Sequence, residues 1–116
     1  MMEYNKLLDF IPYFENENIE YCNWVSGYPQ YDDKFDKFIK SAYQTEILKS
    51  DYLEYLDEKG VNDNLTTAIP TADLELLKAI FTYYIRQERF CDGAWASAIK
   101  EKVFLSILYR LRNILI

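Results

Sequence analysis

The sequence predicts an all-α fold, a compact bundle of about five helices with short connections, formed by residues 1–116 as a single domain. Three observations support this prediction. Apolar residues recur at helical spacing in several segments, and short polar or Gly- and Pro-containing stretches separate these segments. A chain of 116 residues, half of them apolar, also suits one domain with one core.

The first thirty residues contain the least regular part of the pattern. Apolar residues at helical spacing predict a helix over residues 3–15, and Pro12 is expected to bend or break it because proline lacks a backbone N–H group. Residues 26–29 predict a turn. Residues 19–25 fit either a short extended segment or a loose helical turn. A two-stranded piece near residues 19–30 is therefore the main alternative to an all-α fold.

Two amphipathic helices are expected next. The second helix begins near residue 31, where Asp32 or Asp33 suits the positive end of the helix dipole. A third, shorter helix is predicted between the capping pair at 50–51 and Gly60, which suits a left-handed helix end. Its acids either keep a small domain soluble, the commoner case, or mimic nucleic-acid phosphates. The buried face of the second helix is Phe35, Phe38, Ile39, Ala42 and Tyr43, and the acids of the third are Asp51, Glu54, Asp57 and Glu58.

A long central helix is expected to begin at Thr71, after a polar connection over residues 61–70. Its buried face continues to Glu88, which lies only about 40° from Leu74 at about 100° per residue. A carboxylate on the core side is costly unless it is paired and hydrogen-bonded, and the arginines are the candidate partners. The apolar members of this face are Leu74, Leu77, Phe81, Tyr84 and Ile85.

The C-terminal stretch contains a break in helical phase. Trp95 and Ala98 share one apolar face, and the apolar face that follows is rotated by more than about 120° at about 100° per residue. We therefore predict a short helix from Ala94, a break near Lys102 and a final helix from Val103. The apolar face of the final helix is Phe104, Ile107, Leu108, Leu111 and Leu115.

Composition argues against several classes of function. The chain has no histidine, which removes the commonest general base and the usual zinc ligands, so we predict no catalytic set, no metal site and no cofactor. Cys22 and Cys91 are expected to be reduced thiols. The net charge of −6 disfavours direct nucleic-acid binding. Without a long apolar run, a basic amphipathic helix or a basic N-terminal region, the chain is predicted to be cytoplasmic and not membrane-bound.

Arginine is confined to the last third of the chain, while the first 85 residues use only lysine as a base. Guanidinium groups pair bidentately with carboxylates and phosphates. Their confinement therefore predicts one structured polar site, with chance clustering as the alternative. The arginines are Arg86, Arg89, Arg110 and Arg112.

Residues 86–95, with the sequence RQERFCDGAW, combine arginines, acids, aromatic residues and a glycine. Together with TADL at 71–74 and LYRL at 108–111, this segment resembles a small bacterial and archaeal family with no established activity. The family pattern reads R-x-E-R-F-x-x-G-x-W, followed by L-x-R-L. The resemblance covers residues 70–112 well and the first half loosely. It implies a glycine near the position of Lys102, where this chain departs from the family.

The segment has a structural interpretation. Glu88 would pair with Arg86, Arg110 or Arg112 across a helix contact. Trp95, together with the phenylalanine at position 90, would close the end of the core.

The segment also has a functional interpretation. Arg86 and Arg89 would bind an anion, Trp95 would stack on it, and the helix after Gly93 would add backbone N–H donors. This combination suits a nucleotide-like ligand. The candidate ligand-binding residues are Arg86, Glu88, Arg89, Asp92, Trp95 and Arg110.

Small size, net acidity, many tyrosines and the lack of a catalytic set predict a protein that binds a partner and does not catalyse a reaction. The leading hypothesis is an inhibitor of a host protein, encoded on a phage or mobile element. The alternative partner is an anionic small molecule such as a nucleotide-type signal. A third hypothesis, an enzyme that uses Glu88 or Asp92, has less support. A Tyr-rich surface and an apolar tail that ends with residues 113–116 favour a homodimer or a buried C-terminus.

Overall fold

The structure is a computed structural model that describes residues 4–116. A β-hairpin interrupts a chain that is otherwise mostly helical. The elements are α1 (Asn5–Leu8), α2 (Ile11–Glu15), β1 (Cys22–Val25), β2 (Tyr28–Tyr31), α3 (Asp33–Gln44), α4 (Tyr52–Lys59), α5 (Leu65–Ala68), α6 (Leu74–Arg86), α7 (Ala94–Lys100) and α8 (Val103–Leu115). Short 3₁₀ helices at Ile69–Thr71 and Gln87–Arg89 precede and follow α6.

The prediction of an all-α fold is wrong at the hairpin. β1 and β2 pair antiparallel, with Trp24 opposite Pro29. The two residues between the strands, Ser26 and Gly27, have φ values of 54° and 83°. Positive φ at both positions defines the turn whose twist matches that of the paired strands. The two-stranded alternative near residues 19–30 is therefore the correct one.

The number of helices also differs from the prediction. Within residues 4–116, five helices have seven residues or more, namely α3, α4, α6, α7 and α8, and shorter ones are added to them. The predicted helix over 3–15 is divided into α1 and α2, and its first residue lies outside the described part of the chain. Pro12 stands in the first turn of α2, where its missing N–H is not needed.

The central helix begins two residues later than predicted. Asp73, not Thr71, is its N-cap, and the Asp73 carboxylate accepts a hydrogen bond from the N–H of Leu76 at 2.8 Å. Thr71 instead ends the preceding 3₁₀ helix. Residues 61–70, predicted as a polar connection, contain α5 and most of this 3₁₀ helix.

Four phenylalanines form the centre of the core. The ring centroids of Phe38 and Phe104 lie 5.5 Å apart, and those of Phe38 and Phe81 lie 5.7 Å apart. Phe35 contacts Phe104 at 5.7 Å. All four are fully buried, and they join α3, α6 and α8. The apolar faces predicted for these helices therefore meet in one core, except that Tyr43, predicted on the buried face of α3, is 47% exposed.

The predicted break in the C-terminal stretch is confirmed. α7 ends at Lys100, α8 begins at Val103, and Lys102 between them has a φ of 61°, in the left-handed region. The backbone changes direction there, so both apolar faces reach the same core. None of the helices within residues 4–116 combines the length and apolar content that a membrane span needs.

Candidate functional site

The carboxylate of Glu88 is the centre of the connection between α6 and α7. Its Oε2 accepts a hydrogen bond from the N–H of Gly93, and its Oε1 accepts one from the N–H of Trp95 and one from the hydroxyl of Tyr31, each at 2.9 Å. We call residues 86–95 the Glu88 turn. One side chain thus joins the turn, the start of α7 and the end of β2.

The N-terminus of α7 is fully satisfied within the protein. Besides the two N–H groups that Glu88 accepts, the N–H of Ala96 donates to the Tyr31 hydroxyl at 3.2 Å, and the N–H of Ala94 donates to the carbonyl of Cys91 at 3.1 Å. A carboxylate is stabilised at this position by the helix dipole and by charge-assisted hydrogen bonds. Glu88 therefore occupies the place that an anionic ligand would take.

The hydrogen bond to Glu88 affects the ionisation of Tyr31. Burial, followed by the hydrogen bond and the negative charge of Glu88, raises the pKa of its phenol. The hydroxyl therefore stays protonated at physiological pH and donates to Glu88 while it accepts from Ala96. It connects the hairpin to both α7 and the Glu88 turn.

The indole of Trp95 ties α7 to the end of α6. Its Nε1 donates to the carbonyls of Tyr84 and Ile85, at 3.1 and 3.0 Å. Carbonyls in the last turn of a helix have no partner within the helix, so this bond satisfies them. The ring also contacts Tyr31 and Phe35, with centroid distances of 5.3 and 5.5 Å. Trp95 closes the end of the core, as the structural interpretation predicts.

The hairpin packs directly on the Glu88 turn. Gly93 has a φ of 89°, and a Cβ atom added there would lie 2.7 Å from Cζ2 of Trp24. Glycine is required at this position because only it combines that backbone conformation with so close an approach. The hairpin and the turn are therefore joined at two points, one at Tyr31 and one at Trp24.

Large apolar side chains project into solvent from these two joined segments. Their exposed fractions are 76% for Phe90, 67% for Tyr28, 54% for Trp24 and 42% for Val25. The expectation that Phe90 closes the core is therefore wrong. We call Trp24, Val25, Tyr28 and Phe90 the hairpin surface.

The arginines do not gather around Glu88. Arg86 lies against the ring of Tyr52, with its guanidinium carbon 5.8 Å from the ring centroid. The Nε of Arg110 donates to the carbonyl of Ala72 at 2.7 Å. Ala72 precedes α6, whose 13 residues span about 20 Å, while Glu88 follows it. Arg110 is thus at the opposite end of this helix from Glu88.

The predicted ion pair of Glu88 with Arg86, Arg110 or Arg112 is therefore wrong. The ion pairs between residues 4–116 in which both partners are described involve only lysines as bases. The physical reason is the 3₁₀ helix after Arg86, which takes Glu88 off the line of α6 and turns it to the N–H groups of α7. Arg112 instead lies over the ring of Tyr109, at 5.0 Å from its centroid.

The structure brings together only part of the predicted ligand-binding set. Glu88 and Trp95 are in contact through the backbone of Trp95, and Arg89 and Asp92 are exposed on the same turn. Arg86 begins the turn, and Arg110 lies apart from it. The binding role of these residues stays a prediction. The N–H groups of α7 and the indole of Trp95, which an anion site there would need, already make hydrogen bonds within the fold.

Both oxygens of Glu88 also accept hydrogen bonds within the fold, which favours a structural role for this carboxylate over the acid–base role of the third hypothesis. Among residues 4–116, no group of three or more His, Cys, Asp or Glu side chains is placed to hold a metal ion.

Sequence reasoning missed Trp24 and Tyr31. The signal for Trp24 was present, because alternating residues around a two-residue Ser-Gly turn indicate a hairpin. Tyr31 gave no comparable signal, since it is separated from Glu88 by 57 positions in the sequence.

No curated protein and no solved structure matches this chain. A family model does match it, over residues 2–116, and the family is described as one of unknown function. The expected relationship to a family without an assigned activity is confirmed in this form. The chain belongs to the family of unknown function DUF6508.

Proposed function

We propose that this protein is a small acidic binding protein that acts by contact with a protein partner and not by catalysis. The observation that carries the proposal is the hairpin surface. Its large side chains are exposed on two segments that Glu88, Tyr31 and Gly93 hold together. Large exposed apolar side chains that are grouped on one part of a folded chain commonly mark interaction sites.

The contacts that hold the hairpin on the Glu88 turn favour binding energetically. Aromatic side chains dominate the energetic centres of protein interfaces, and a surface ordered before binding loses less conformational entropy on association. The hairpin has two strands of four residues each, and such a hairpin is marginal alone. Its bonds to the Glu88 turn keep it ordered in the absence of a partner.

Charge indicates the partner's chemistry. The chain carries a net charge of −6, and its exposed acids include Glu20, just before the hairpin, and Asp92, within the Glu88 turn. We propose that the partner is a cytoplasmic host protein with an apolar pocket bordered by basic residues. An inhibitor encoded on a phage or mobile element fits this description. The R-x-E-R-F-x-x-G-x-W pattern would then describe a support formed by Glu88, Gly93 and Trp95, with Phe90 in the contact.

The test uses immobilised wild-type protein and matched serine variants in host lysate, with hydrogen exchange on the recovered complex. Phe90→Ser removes an exposed ring without changing the hairpin, and Leu53→Ser is the control because Leu53 is exposed on α4. We expect the wild type and Leu53→Ser to retain one partner that Phe90→Ser loses. Protection on binding should appear at residues 22–31 and 88–93.

Three results would contradict the proposal. The first is equal loss of the partner in Leu53→Ser and Phe90→Ser, and the second is protection confined to α4. The third is concentration-dependent self-association that Phe90→Ser abolishes, which would make a second copy of this chain the occupant of the surface. Light scattering of the purified protein measures that outcome directly.

An anionic small molecule is the second candidate, at a different place from the one the sequence predicts. A cavity of about 210 Å³ is lined by Arg110, Ser106 and Asn113. Because only the Nε of Arg110 bonds to Ala72, its terminal N–H groups remain for an anion. The volume suits a phosphate or carboxylate group better than a whole nucleotide.

Thermal shifts with phosphate and with AMP test this candidate. We expect a shift that Arg110→Gln removes and Arg112→Gln retains, since Arg112 does not line the cavity. An equal response of the two variants would instead indicate diffuse attraction to surface charge.

A further inference from the structure

A second cleft, of about 410 Å³, lies beside the Glu88 turn. Its walls come from the loop after α4, from α5, from the C-terminal half of α6, and from α7. Gln87 also lines the cleft, although the neighbouring Glu88 does not. The volume is within the range of small-molecule sites, and the hairpin surface provides none of its lining.

Two tyrosines form the aromatic wall of this cleft. The rings of Tyr83 and Tyr84 meet edge to face, with centroids 5.2 Å apart and an interplanar angle of 87°. Both are half-buried, and neither hydroxyl bonds to a described residue. Burial, then Tyr83 and the negative charge of Glu101, raise the pKa of the Tyr84 phenol. The Tyr84 phenol therefore stays protonated and neutral. The faces of aromatic rings such as these attract cations.

The charged groups of the cleft are of one sign. Asp63 and Glu101 line it, and no lysine or arginine is among its lining residues. Neither carboxylate forms an ion pair with a residue in the described part of the chain. Their negative charge is therefore available to a cationic ligand.

We propose that this cleft binds a small organic cation that carries a primary ammonium group on an alkyl stem. The carboxylates of Asp63 and Glu101 supply the charge complement, and the Tyr83 and Tyr84 rings supply cation–π contact. The free polar groups of Gln87 and a serine of α7 accept the remaining ammonium hydrogens. Apolar residues at the cleft, Leu65, Ala98 and Val103, suit the stem.

This proposal is independent of the protein-binding surface, because the two share no residue. The same cleft disfavours a nucleotide, since its two unpaired carboxylates repel phosphate. The ligand class is therefore opposite in charge to the one expected from the arginines.

Calorimetric titration with 1,5-diaminopentane tests the proposal. We expect saturable binding that Glu101→Gln and Asp63→Asn each weaken about fivefold, as expected for the loss of one partly exposed ion pair. Glu54→Gln is the matched control, because Glu54 is exposed on α4 and does not line the cleft. It should bind the diamine as the wild type does.

A second measurement does not depend on the variants being folded. Nuclear magnetic resonance of the wild type with the same diamine should shift the ring signals of Tyr83 and Tyr84, while those of Tyr28 on the hairpin surface stay unchanged. Lack of saturation, equal weakening by Glu54→Gln, or shifts at Tyr28 alone would each overturn the proposal. The first two would leave the protein-binding proposal untouched.

Discussion

The two connections that flank α7 are held in different ways. The one before it, residues 87–93, is organised by the Glu88 carboxylate and by Tyr31, which comes from a separate part of the chain. The one after it is only two residues long, and its backbone bonds are local. The N–H of Lys102 donates to the carbonyl of Ile99, and the N–H of Ser106 donates to that of Lys102.

This difference shows where long-range contacts set the structure. The short connection is dictated by neighbouring residues, and its strain is confined to one left-handed lysine. The long connection requires the hairpin to be in place, and it supports the hairpin in return. We therefore expect substitutions before α7 to affect both stability and the hairpin surface, and substitutions after α7 to have small, local effects.

The largest effect is expected for Glu88→Ala. The change leaves the N–H groups of Gly93 and Trp95 and the hydroxyl of Tyr31 without their acceptor in a half-buried site, which should lower the free energy of unfolding by about 3 kcal/mol. Urea denaturation followed by circular dichroism measures it. Glu101→Ala, in the other connection, is the control and should change stability by less than about 0.5 kcal/mol. Similar losses in both variants would remove the distinction between the connections.

Gly93→Ala is expected to be the next most damaging change. The new methyl group would lie 2.7 Å from Trp24 in a backbone conformation with a φ of 89°, so we expect a loss of about 2 kcal/mol and greater hydrogen exchange in the hairpin. Gly60→Ala is matched to it, because Gly60 also has positive φ but nothing lies within 4 Å of an added Cβ. It should lose only about 1 kcal/mol. Equal losses would mean that the Trp24 contact contributes nothing.

The same comparison explains what was predictable from the sequence. The break at Lys102 follows from the rotation between two apolar faces. The buried faces of α3, α6 and α8 follow from helical spacing. Both signals are local in the sequence. The partner of Glu88 is not local. A carboxylate on the core side indicates only that some donor must be present, and backbone N–H groups cannot be identified as donors by residue type. Arginine charge, in contrast, can be read directly from the sequence, so the sequence predicted arginines as the partners of Glu88.

Tyr31→Phe removes one hydroxyl that serves both Glu88 and Ala96. We expect a loss of about 1–1.5 kcal/mol, because Glu88 keeps its two backbone partners. Tyr28→Phe is the control, since Tyr28 is mostly exposed and no hydrogen bond of its hydroxyl to a described residue is present. A loss in Tyr31→Phe no larger than that in Tyr28→Phe would show that the hydroxyl does not contribute to stability.

Alkaline pH sharpens this test. Burial and the neighbouring carboxylates raise the pKa of Tyr31 and of Tyr13 above the ordinary value of 10.0. Below pH 10.0 the folded and the unfolded chain both keep these phenolic protons. Above it, the unfolded chain loses them before the folded chain does. Stability should therefore fall as the pH rises above about 10, and less steeply in Tyr31→Phe than in the wild type. Parallel pH profiles from urea denaturation would contradict this assignment.

The smallest expected effect, and the only expected increase in stability, is at the connection after α7. Lys102 has a φ of 61°, a region in which a residue with a Cβ is disfavoured by about 1 kcal/mol relative to glycine. Its Nζ lies 3.3 Å from Glu17, but both side chains are exposed and such a pair contributes little. Lys102→Gly should therefore raise the free energy of unfolding by about 0.5 kcal/mol, after the greater freedom of glycine in the unfolded chain is subtracted.

Lys102→Ala separates the contribution of the Glu17 ion pair from that of the backbone strain. It removes the ammonium group and keeps the left-handed conformation. We expect it to match the wild type or fall slightly below it in urea denaturation, with Lys102→Gly above both. Equal destabilisation in the two variants would mean that the contact with Glu17, 85 residues away, holds this connection. The connection after α7 would then depend on a distant residue, as the one before α7 does, and the contrast between them would be one of degree.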